Sequence, residues 1–460
     1  MVGPEFVLWL VLPFILRAHP GADARFRFAS YIDHHMVLQK KPAGAVIWGY
    51  GISGATVTVT LCRHQETIMK KVTTVKTYSN SWMVILDPMK AGGPYEVMAE
   101  QTFGGRNLTL KVRDVLFGDV WLCSGQSNMQ MTVSQIFNAT SELSNTAAYQ
   151  SVRILSVSLV QAEQELEDLA EVDLRWSKPT SENLGHGNFE YMSAMCWLFG
   201  RYLYDTLRYP IGLISSSWGG TPIEAWSSRR SLKACGVPKQ GFILSDFTAG
   251  PSGHSVLWNA MIHPLCNMTL KGVIWYQGTY TIARSLHSLK TGVRPSTMAP
   301  TGRQSVSFHL DLSSIHPRDK QTVAYRLHLG ARAVAYGEKL TFQGPLPEKI
   351  KLSAVKGLLN ITYSQQIQLQ RQDDKIFEIS CCEDHQCKWL PAPMNTVSTQ
   401  TLALSVSSCR GTPVALRYAW TTWPCEYKQC PLYHPSSALP APPFIAFITN
   451  QMQANHKVAQ

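Results

Sequence analysis

The chain has 460 residues, of which 45% are hydrophobic and 16% are charged, and its formal net charge at pH 7 is +11. This length predicts two or three domains, and the apolar content excludes a disordered or fibrous protein. The basic residues are scattered, and none of the spacings typical of DNA- or RNA-binding motifs is present. We therefore expect no nucleic-acid partner, while an acidic small-molecule substrate remains a candidate.

The N-terminus carries an apolar stretch at 6–16 with the sequence FVLWLVLPFIL. It is too short to span a membrane as a helix. A small-x-small cleavage pattern, Ala-Asp-Ala, follows at 22–24, and the combination predicts a signal peptide over residues 1–24. A buried N-terminal strand is the alternative interpretation. No later apolar segment approaches about 18 residues, so we expect no membrane anchor.

Glycosylation motifs and cysteines also favour the secretory pathway, and we expect a lysosomal and/or secreted protein. Sequons of the Asn-x-Thr type predict N-glycosylation at Asn107, Asn138, Asn267 and Asn360. Six of the 11 cysteines form a C-terminal cluster whose number allows three disulfides: Cys381, Cys382, Cys387, Cys409, Cys425 and Cys430. The cluster has no paired C-x-x-C spacing, so a metal site is less favoured. The remaining cysteines are odd in number, which leaves at least one thiol free: Cys62, Cys123, Cys196, Cys235 and Cys266.

The hydrophobic pattern divides the chain into three parts. Residues 25–112 contain alternating segments typical of strands, such as TVTVTL at 56–61, and predict a small β-sandwich. Residues 113–338 alternate short apolar runs with helical patterns, and residues 339–450 are again β-rich, before a tail at 451–460. The expected architecture is an α/β domain with a parallel sheet, flanked by β-sandwich-like domains.

Three apolar runs in the middle part each lead into a turn of glycine and polar residues. They are DVWLC at 119–123, IGLI at 211–214 and GVIWY at 272–276. Because ligands of open α/β sheets bind at the carboxyl ends of the strands, these turns form the candidate site. A helix is expected over 319–336, directly after an Ile-His-Pro loop.

The first turn reads CSGQSNM at 123–129 and presents Ser127 just after a buried strand. A tight turn there lifts the hydroxyl out of the sheet, and the N–H groups of a following helix can face a developing oxyanion. Serines in such turns more commonly only cap a helix. His316 can supply a general base because imidazole titrates in the working pH range. A surface or capping histidine is the alternative.

Four sequence blocks together resemble the successive motifs of the sialate O-acetylesterases, a family of SGNH hydrolases: WLCSGQSNMQ, SSSWGGTPIEAW, GVIWYQG and SIHPRDKQ. The resemblance is to the mammalian lysosomal or secreted type and extends from about residue 26 to about residue 450. It implies a flavodoxin-like SGNH hydrolase domain at 113–338. The implied reaction removes acetyl groups from O-acetylated sialic acids or sialoglycans through an acetyl-enzyme, without a metal or an organic cofactor.

The resemblance also implies roles for individual residues. Ser127 would be the nucleophile and His316 the base. The amide of Ser127 and an amide of Gly219 or Gly220 would form part of the oxyanion hole. Candidates for substrate contacts are three amide side chains of the same turns: Gln126, Asn128 and Gln277.

The chain departs from the family pattern after Gly278. The family continues with Glu, a small residue and Asn, whose side chain donates to the oxyanion, whereas this chain has Thr279, Tyr280 and Thr281. Loss of one oxyanion donor costs about a hundred- to a thousandfold in turnover. The family also has a longer segment before the His-Pro motif. Residues 279–313 are therefore atypical, and 279–310 contain four basic residues and no acid.

The acid that would orient His316 is affected by the same segment. Related hydrolases commonly place an acid three residues before the histidine, where this chain has Ser313. Asp311 is the nearest candidate, and an ordinary loop carboxylate is the alternative. A serine triad without its acid can lose about 10⁴ in turnover, although some hydrolases operate with a dyad.

Three functions follow as hypotheses. The first is an esterase for O-acetylated sialic acid, with other acetylated carbohydrates as the alternative within this class. The second is a catalytically impaired splice or gene-model variant that at most binds glycans, motivated by residues 279–313. The third is an extracellular β-sandwich adhesion protein, which the α/β pattern of the middle part disfavours. The sequence specifies no oligomeric state.

Overall fold

The computed structural model describes residues 26–237, 251–277, 315–353, 357–383, 386–421 and 424–448. The predicted signal peptide, the tail at 451–460 and the atypical segment 279–313 lie outside these residues. Asp311 therefore lies outside them as well. Within the described ranges, no helix combines the length and the apolar character needed to cross a membrane.

The N-terminal part consists of strands. They are β1 (Arg27–Phe28), β2 (Val37–Gln39), β3 (Val46–Tyr50), β4 (Thr56–Arg63), β5 (Glu66–Thr74), β6 (Ser81–Ile85), β7 (Gly92–Phe103) and β8 (Arg106–Gly125). β1, β3 and β6 form a small sheet, whose buried side chains share one hydrophobic core with those of β4 and β7. Buried residues alternate along β4 and β7, as expected for strands with one face in the core.

The middle part adds a parallel sheet and its helices. The strands are β9 (Val152–Val157), β10 (Val172–Ser177), β11 (Ile211–Ser217) and β12 (Gly272–Tyr276). The α-helices are α1 (Ser127–Gln130), α2 (Ala139–Ser144), α3 (Ser181–Gly185), α4 (Ala194–Leu207), α5 (Arg229–Ala234) and α6 (Lys320–Tyr336). Shorter turns of 3₁₀- or π-helix lie at Val133–Gln135, Thr146–Tyr149, Ile223–Trp226, Trp258–Ile262 and His263–Asn267.

The predicted α/β fold is confirmed, including the three strands and the long helix before residue 337. β11 and the second half of β8 are buried, whereas in β12 only Ile274 is buried and Val273 is exposed, so the expectation of a buried third strand is wrong. β9, β11, β8 and β12 are parallel to their neighbours. β10 is an antiparallel edge strand, and β7, β4 and β5 continue the same sheet in antiparallel fashion, so the sheet as a whole is mixed. α4 and α6 pack on one face of it around a core that includes Trp197 and Phe199.

One strand belongs to both the N-terminal and the middle part. β8 pairs with β7 over its first half and with β11 from Asp119 to Gly125. The domain boundary predicted at 112/113 falls inside this strand. The two parts are therefore joined by continuous β-structure, and β8 ends two residues before Ser127.

The C-terminal part is β-rich and has its own hydrophobic core. Its strands are β13 (Pro347–Leu352), β14 (Leu358–Tyr363), β15 (Gln368–Leu369), β16 (Phe377–Glu383), β17 (Gln386–Pro391), β18 (Met394–Val397), β19 (Thr401–Ser405), β20 (Thr412–Tyr418), β21 (Leu432–Tyr433) and β22 (Phe444–Phe447).

Disulfides account for the predicted cysteine cluster. The pairs Cys381–Cys409, Cys382–Cys387 and Cys425–Cys430 use all six of its members. A further disulfide joins Cys123 of β8 to Cys196 of α4. Three thiols of the described residues are free: Cys62, Cys235 and Cys266. The odd number of cysteines requires at least one.

Candidate active site

Three parallel strands end at the same level of the sheet. Gly125, the last residue of β8, pairs with Ser217, the last residue of β11, and with Tyr276, the last residue of β12. The turns that follow therefore leave one edge of the sheet side by side. Gly125 has a φ of +144°, and a Cβ there would lie 2.2 Å from the Tyr276 carbonyl oxygen, so the close approach requires glycine.

The turns are tied together through one carbonyl group. The Gln126 side chain donates from Nε2 to the Thr221 carbonyl oxygen at 2.6 Å, and Gln277 Nε2 donates to the same oxygen at 2.9 Å. The Gln126 backbone N–H donates to the Tyr276 carbonyl oxygen at 3.1 Å. Because Gln126 is buried, these bonds give both glutamines a role in positioning the turn that presents Ser127. Their contact with substrate stays a prediction.

The second turn approaches Ser127 closely. A Cβ on Gly219 would lie 3.0 Å from Ser127 Cβ. The Gly219 N–H donates to Gln130 Oε1 at 2.7 Å, so a side-chain oxygen occupies the place at this amide that a substrate oxyanion would take. Gly220, the other oxyanion candidate, has a φ of +69°, which glycine adopts without strain.

Gln130 also links this turn to the histidine loop. Its Nε2 donates to the carbonyl oxygen of Phe189 at 3.0 Å, and the Phe189 ring meets the His316 ring edge-on at a centroid distance of 5.2 Å. Gly219, Gln130, Phe189 and His316 thus form a chain of contacts that leads from the turn beside Ser127 to the histidine loop. The sequence-predicted nucleophile, base and oxyanion turn lie in one region of the molecule.

A buried cation lies between the nucleophile turn and the histidine loop. Lys320, the first residue of α6, is fully buried. Its Nζ donates to Asn128 Oδ1 at 2.7 Å and to the Pro317 carbonyl oxygen. Asn128 in turn donates from Nδ2 to the Ile315 carbonyl oxygen at 3.0 Å. Both ends of the Asn128 amide are therefore used to dock the nucleophile turn on the histidine loop, and its contact with substrate stays a prediction.

Burial and charge adjust the acid–base properties of this pair. Burial lowers the pKa of Lys320 to about 7, opposed by the neighbouring Asp319 carboxylate. The pKa of His316 is lowered first by its own burial and then by the positive charge of Lys320. A lowered pKa keeps the imidazole neutral, and hence able to accept a proton, down to a lower pH.

Gln130, Phe189 and Lys320 were not predicted from the sequence. Gln130 follows Ser127 by three residues within α1, so helical spacing could have indicated that these two side chains are neighbours. Lys320 follows His316 by four residues, but His316 precedes α6, so helical spacing gives no signal there. No local pattern distinguishes Phe189. Among the residues that the structure describes, no group of three or more His, Cys, Asp or Glu side chains could hold a metal ion.

Two family models match this chain. Residues 117–288 match the family model described as carbohydrate esterase, sialic acid-specific acetylesterase. Residues 348–448 match that of the sialate O-acetylesterase C-terminal domain. The sialate O-acetylesterase of Homo sapiens is 66% identical, with 98% of each chain covered. This chain belongs to the sialate O-acetylesterase family.

One further relative and one solved structure are similar to this chain. The sialate O-acetylesterase of Mus musculus is 60% identical over 539 residues, covering 98% of this chain and 100% of that protein. Because this alignment is longer than the 460 residues of the chain, the relative contains residues that the chain lacks. A carbohydrate acetylesterase from Xanthomonas citri has the same fold, with a TM-score of 0.69, 24% identity and coverage of 91% of this chain and 99% of that one.

Substitution of Gly219 by alanine is expected to lower turnover of an aryl acetate about a hundredfold, because the new methyl group displaces the Ser127 side chain. The measurement is kcat and KM for 4-nitrophenyl acetate. Gly330→Ala is the matched control, since a Cβ there meets its nearest atom at 4.0 Å. Equal activities of the two variants would contradict the assigned proximity of Gly219 and Ser127.

Replacement of Lys320 by methionine is expected to move the acidic limb of the kcat/KM–pH profile to higher pH. Lys320 is charged below about pH 7, where His316 titrates, so removing the charge raises the pKa of the imidazole and protonates it at higher pH. The exposed Lys339, changed to methionine, provides the control. An acidic limb that stays in place would show that the Lys320 charge does not act on His316.

Proposed function

We propose that this chain is a serine esterase that removes O-acetyl groups from O-acetylated sialic acids. The observation that carries the proposal is the common end of β8, β11 and β12, because Gly125 pairs with both Ser217 and Tyr276 and the three following turns leave the sheet together. The family models and the relatives named sialate O-acetylesterase support the substrate class.

In the first half-reaction Ser127 Oγ attacks the acetyl carbonyl carbon while His316 takes the hydroxyl proton. The oxyanion of the tetrahedral intermediate is bound by the Ser127 amide and by the amide of Gly219 or Gly220. Gln130 has to release the Gly219 N–H if that amide is used. Collapse of the intermediate breaks the ester bond, His316 returns the proton to the departing sugar hydroxyl, and an acetyl-Ser127 remains.

In the second half-reaction His316 takes a proton from water, and the resulting nucleophile attacks the acetyl-enzyme. Acetate leaves and Ser127 recovers its proton. Every step is an acyl or proton transfer between side chains, water and substrate, so we propose no cofactor. Asp311 remains the proposed partner of His316. Within the described residues, Phe189 and the Lys320 hydrogen bonds fix the histidine loop.

The departure from the family motif after Gly278 supports a second candidate function, an impaired variant. The Asn that the family places after Gly278 is absent, and Thr279 to Thr281 replace that motif. A chain with one oxyanion donor fewer is expected to turn over about a hundred- to a thousandfold more slowly. This alternative is an impaired variant that binds glycans without appreciable turnover. An esterase for other acetylated carbohydrates is the alternative within the same chemistry.

Substitution of Ser127 by alanine is expected to abolish acetate release from 9-O-acetylated N-acetylneuraminic acid, because the acetyl-enzyme can no longer form. The measurement is acetate release by purified protein, with an acetylated xylan oligosaccharide as the comparison substrate. Ser144→Ala, at an exposed position at the end of α2, is the control.

Three outcomes of this assay separate the hypotheses. Equal rates for the wild type and the Ser127 variant would eliminate the serine mechanism. Glycan binding by a wild type that releases no acetate would favour the impaired variant. Faster release from xylan than from the sialic acid would move the substrate class to neutral acetylated sugars.

We further propose that the protein resides in the secretory pathway, in lysosomes and/or outside the cell. The disulfides within the described ranges support an oxidising compartment. The asparagines of all four sequons are exposed, as glycosylation requires: Asn107, Asn138, Asn267 and Asn360. Residues 1–24 are the proposed signal peptide.

Expression in mammalian cells is expected to yield a protein that loses mass on digestion with peptide-N-glycosidase F. A single Asn→Gln change at each of the four sequons would lower the mass by one glycan where that site is occupied. The number of variants with a lower mass gives the number of occupied sites. The medium and a lysosomal fraction are assayed separately for the protein. An unglycosylated protein confined to the cytosol would contradict the proposal.

A further inference from the structure

A cavity of about 230 Å³ adjoins the nucleophile turn at the carboxyl ends of β9 and β11. Gln130 and Phe189 line it, and these two residues also contact Gly219 and His316. Ser217, which pairs with Gly125, lines it as well. The cavity therefore lies beside the edge of the sheet from which the Ser127 turn leaves.

The loop at 186–191 contributes to this cavity in an unusual backbone conformation. Phe189 and Tyr191 have φ angles of 60° and 55°, in the left-handed region that bulky side chains rarely adopt. Strain of this kind persists only where the surroundings over-determine the conformation, and it concentrates at ligand clamps and active sites.

Side chains outside the loop hold it in this conformation. Gln135 Oε1 accepts from the Phe189 N–H at 3.0 Å, and Ser156 Oγ donates to the Tyr191 carbonyl oxygen at 2.7 Å. The Tyr191 ring also stacks on His186 at a centroid distance of 4.3 Å. These contacts fix two aromatic side chains at the cavity in advance of any ligand.

The charge of the lining indicates what the cavity can accept. Among the described residues that line it are two carboxylates, Asp173 and Glu190, and neither lysine nor arginine. Ser158 Oγ donates to Asp173 Oδ1 at 2.6 Å, which orients that carboxylate. Carboxylates accept strong hydrogen bonds from hydroxyl groups, whereas an anion held beside them is repelled.

We infer that this cavity binds the uncharged, hydroxyl-bearing part of the acetylated sugar next to the scissile ester, with Asp173 and Glu190 as hydrogen-bond acceptors. The inference rests on the proposed function, since it places the acetyl group at Ser127. The cavity volume is below the range of about 300–1,000 Å³ typical of drug-sized ligands. A volume of this size suits one sugar ring or the side chain of a sugar. The carboxylate of a sialic acid then lies outside the cavity, because the two acids exclude it.

The test compares a sugar substrate with a small one that reaches only the catalytic centre. We expect Asp173→Asn and Glu190→Gln each to lower kcat/KM for 9-O-acetylated N-acetylneuraminic acid, relative to kcat/KM for 4-nitrophenyl acetate, by about tenfold through a raised KM. Glu171→Gln is the matched control, an exposed acid just before β10. An unchanged ratio in both variants, or an equal fall in the control, would overturn the inference.

A binding measurement separates failure of this inference from failure of the proposed function. If the wild type cleaves the aryl acetate and not the sialic acid ester, the proposed substrate is wrong. The cavity is then tested by titrating Ser127→Ala, with and without Asp173→Asn, with a neutral 6-O-acetylated hexoside. A Kd about tenfold higher in the double variant supports the cavity as a sugar site, and equal Kd values contradict it.

Discussion

The position at which β8 ends determines where the Ser127 turn lies relative to the turns after β11 and β12. This strand runs from Arg106 to Gly125, pairs with β7 in its first half, and pairs with β11 and β12 in its second. A slip of one residue would turn every side chain of β8 to the opposite face of the sheet and move Gly125 away from the Tyr276 carbonyl group. Gly118 fixes the register further, since a Cβ there would lie 1.9 Å from the Pro210 oxygen. The N-terminal β-structure therefore supports the catalytic geometry directly, because it shares the strand that presents Ser127.

Beyond the strand ends, polar side chains hold the parts of the site in place before substrate arrives. Gln130 satisfies the Gly219 N–H and the Phe189 carbonyl group together, so the proposed oxyanion donor is already oriented by an amide oxygen that a substrate oxygen would replace. Lys320 is costly to bury, and its hydrogen bonds to Asn128 and Pro317 offset part of that cost. In return its charge favours the neutral imidazole of His316. The same cation thus holds the turn of the proposed nucleophile and lowers the pKa of the proposed base.

The sequence predicts those elements whose pattern is local. The strands at 119–123, 211–214 and 272–276 are short, mainly apolar runs, and the long helix follows from its hydrophobic period, so all four elements were predictable. The exposure of Val273 in the third strand was not. The continuity of β8 was not predictable either, because its residues are mostly exposed before residue 115 and all buried from there on, which is typical of two elements. Lys320 lies where a helix N-terminus usually meets solvent, and only the packing of α6 on the nucleophile turn buries it. The conformations of Phe189 and Tyr191 depend on hydrogen bonds to distant side chains, which no local pattern specifies.

The net charge of the chain and the acidity of the cavity act over different distances. The charge of +11 attracts anionic glycans at long range, and salt screens this attraction beyond about 8 Å at physiological ionic strength. Asp173 and Glu190 act on a sugar that is already in contact. An anionic substrate drawn to the surface would therefore keep its carboxylate outside the cavity and direct its uncharged hydroxyl groups inward. Since the ester to be cleaved is carried by such a hydroxyl group, the combination of a basic chain and an acidic cavity orients the acetyl group toward Ser127.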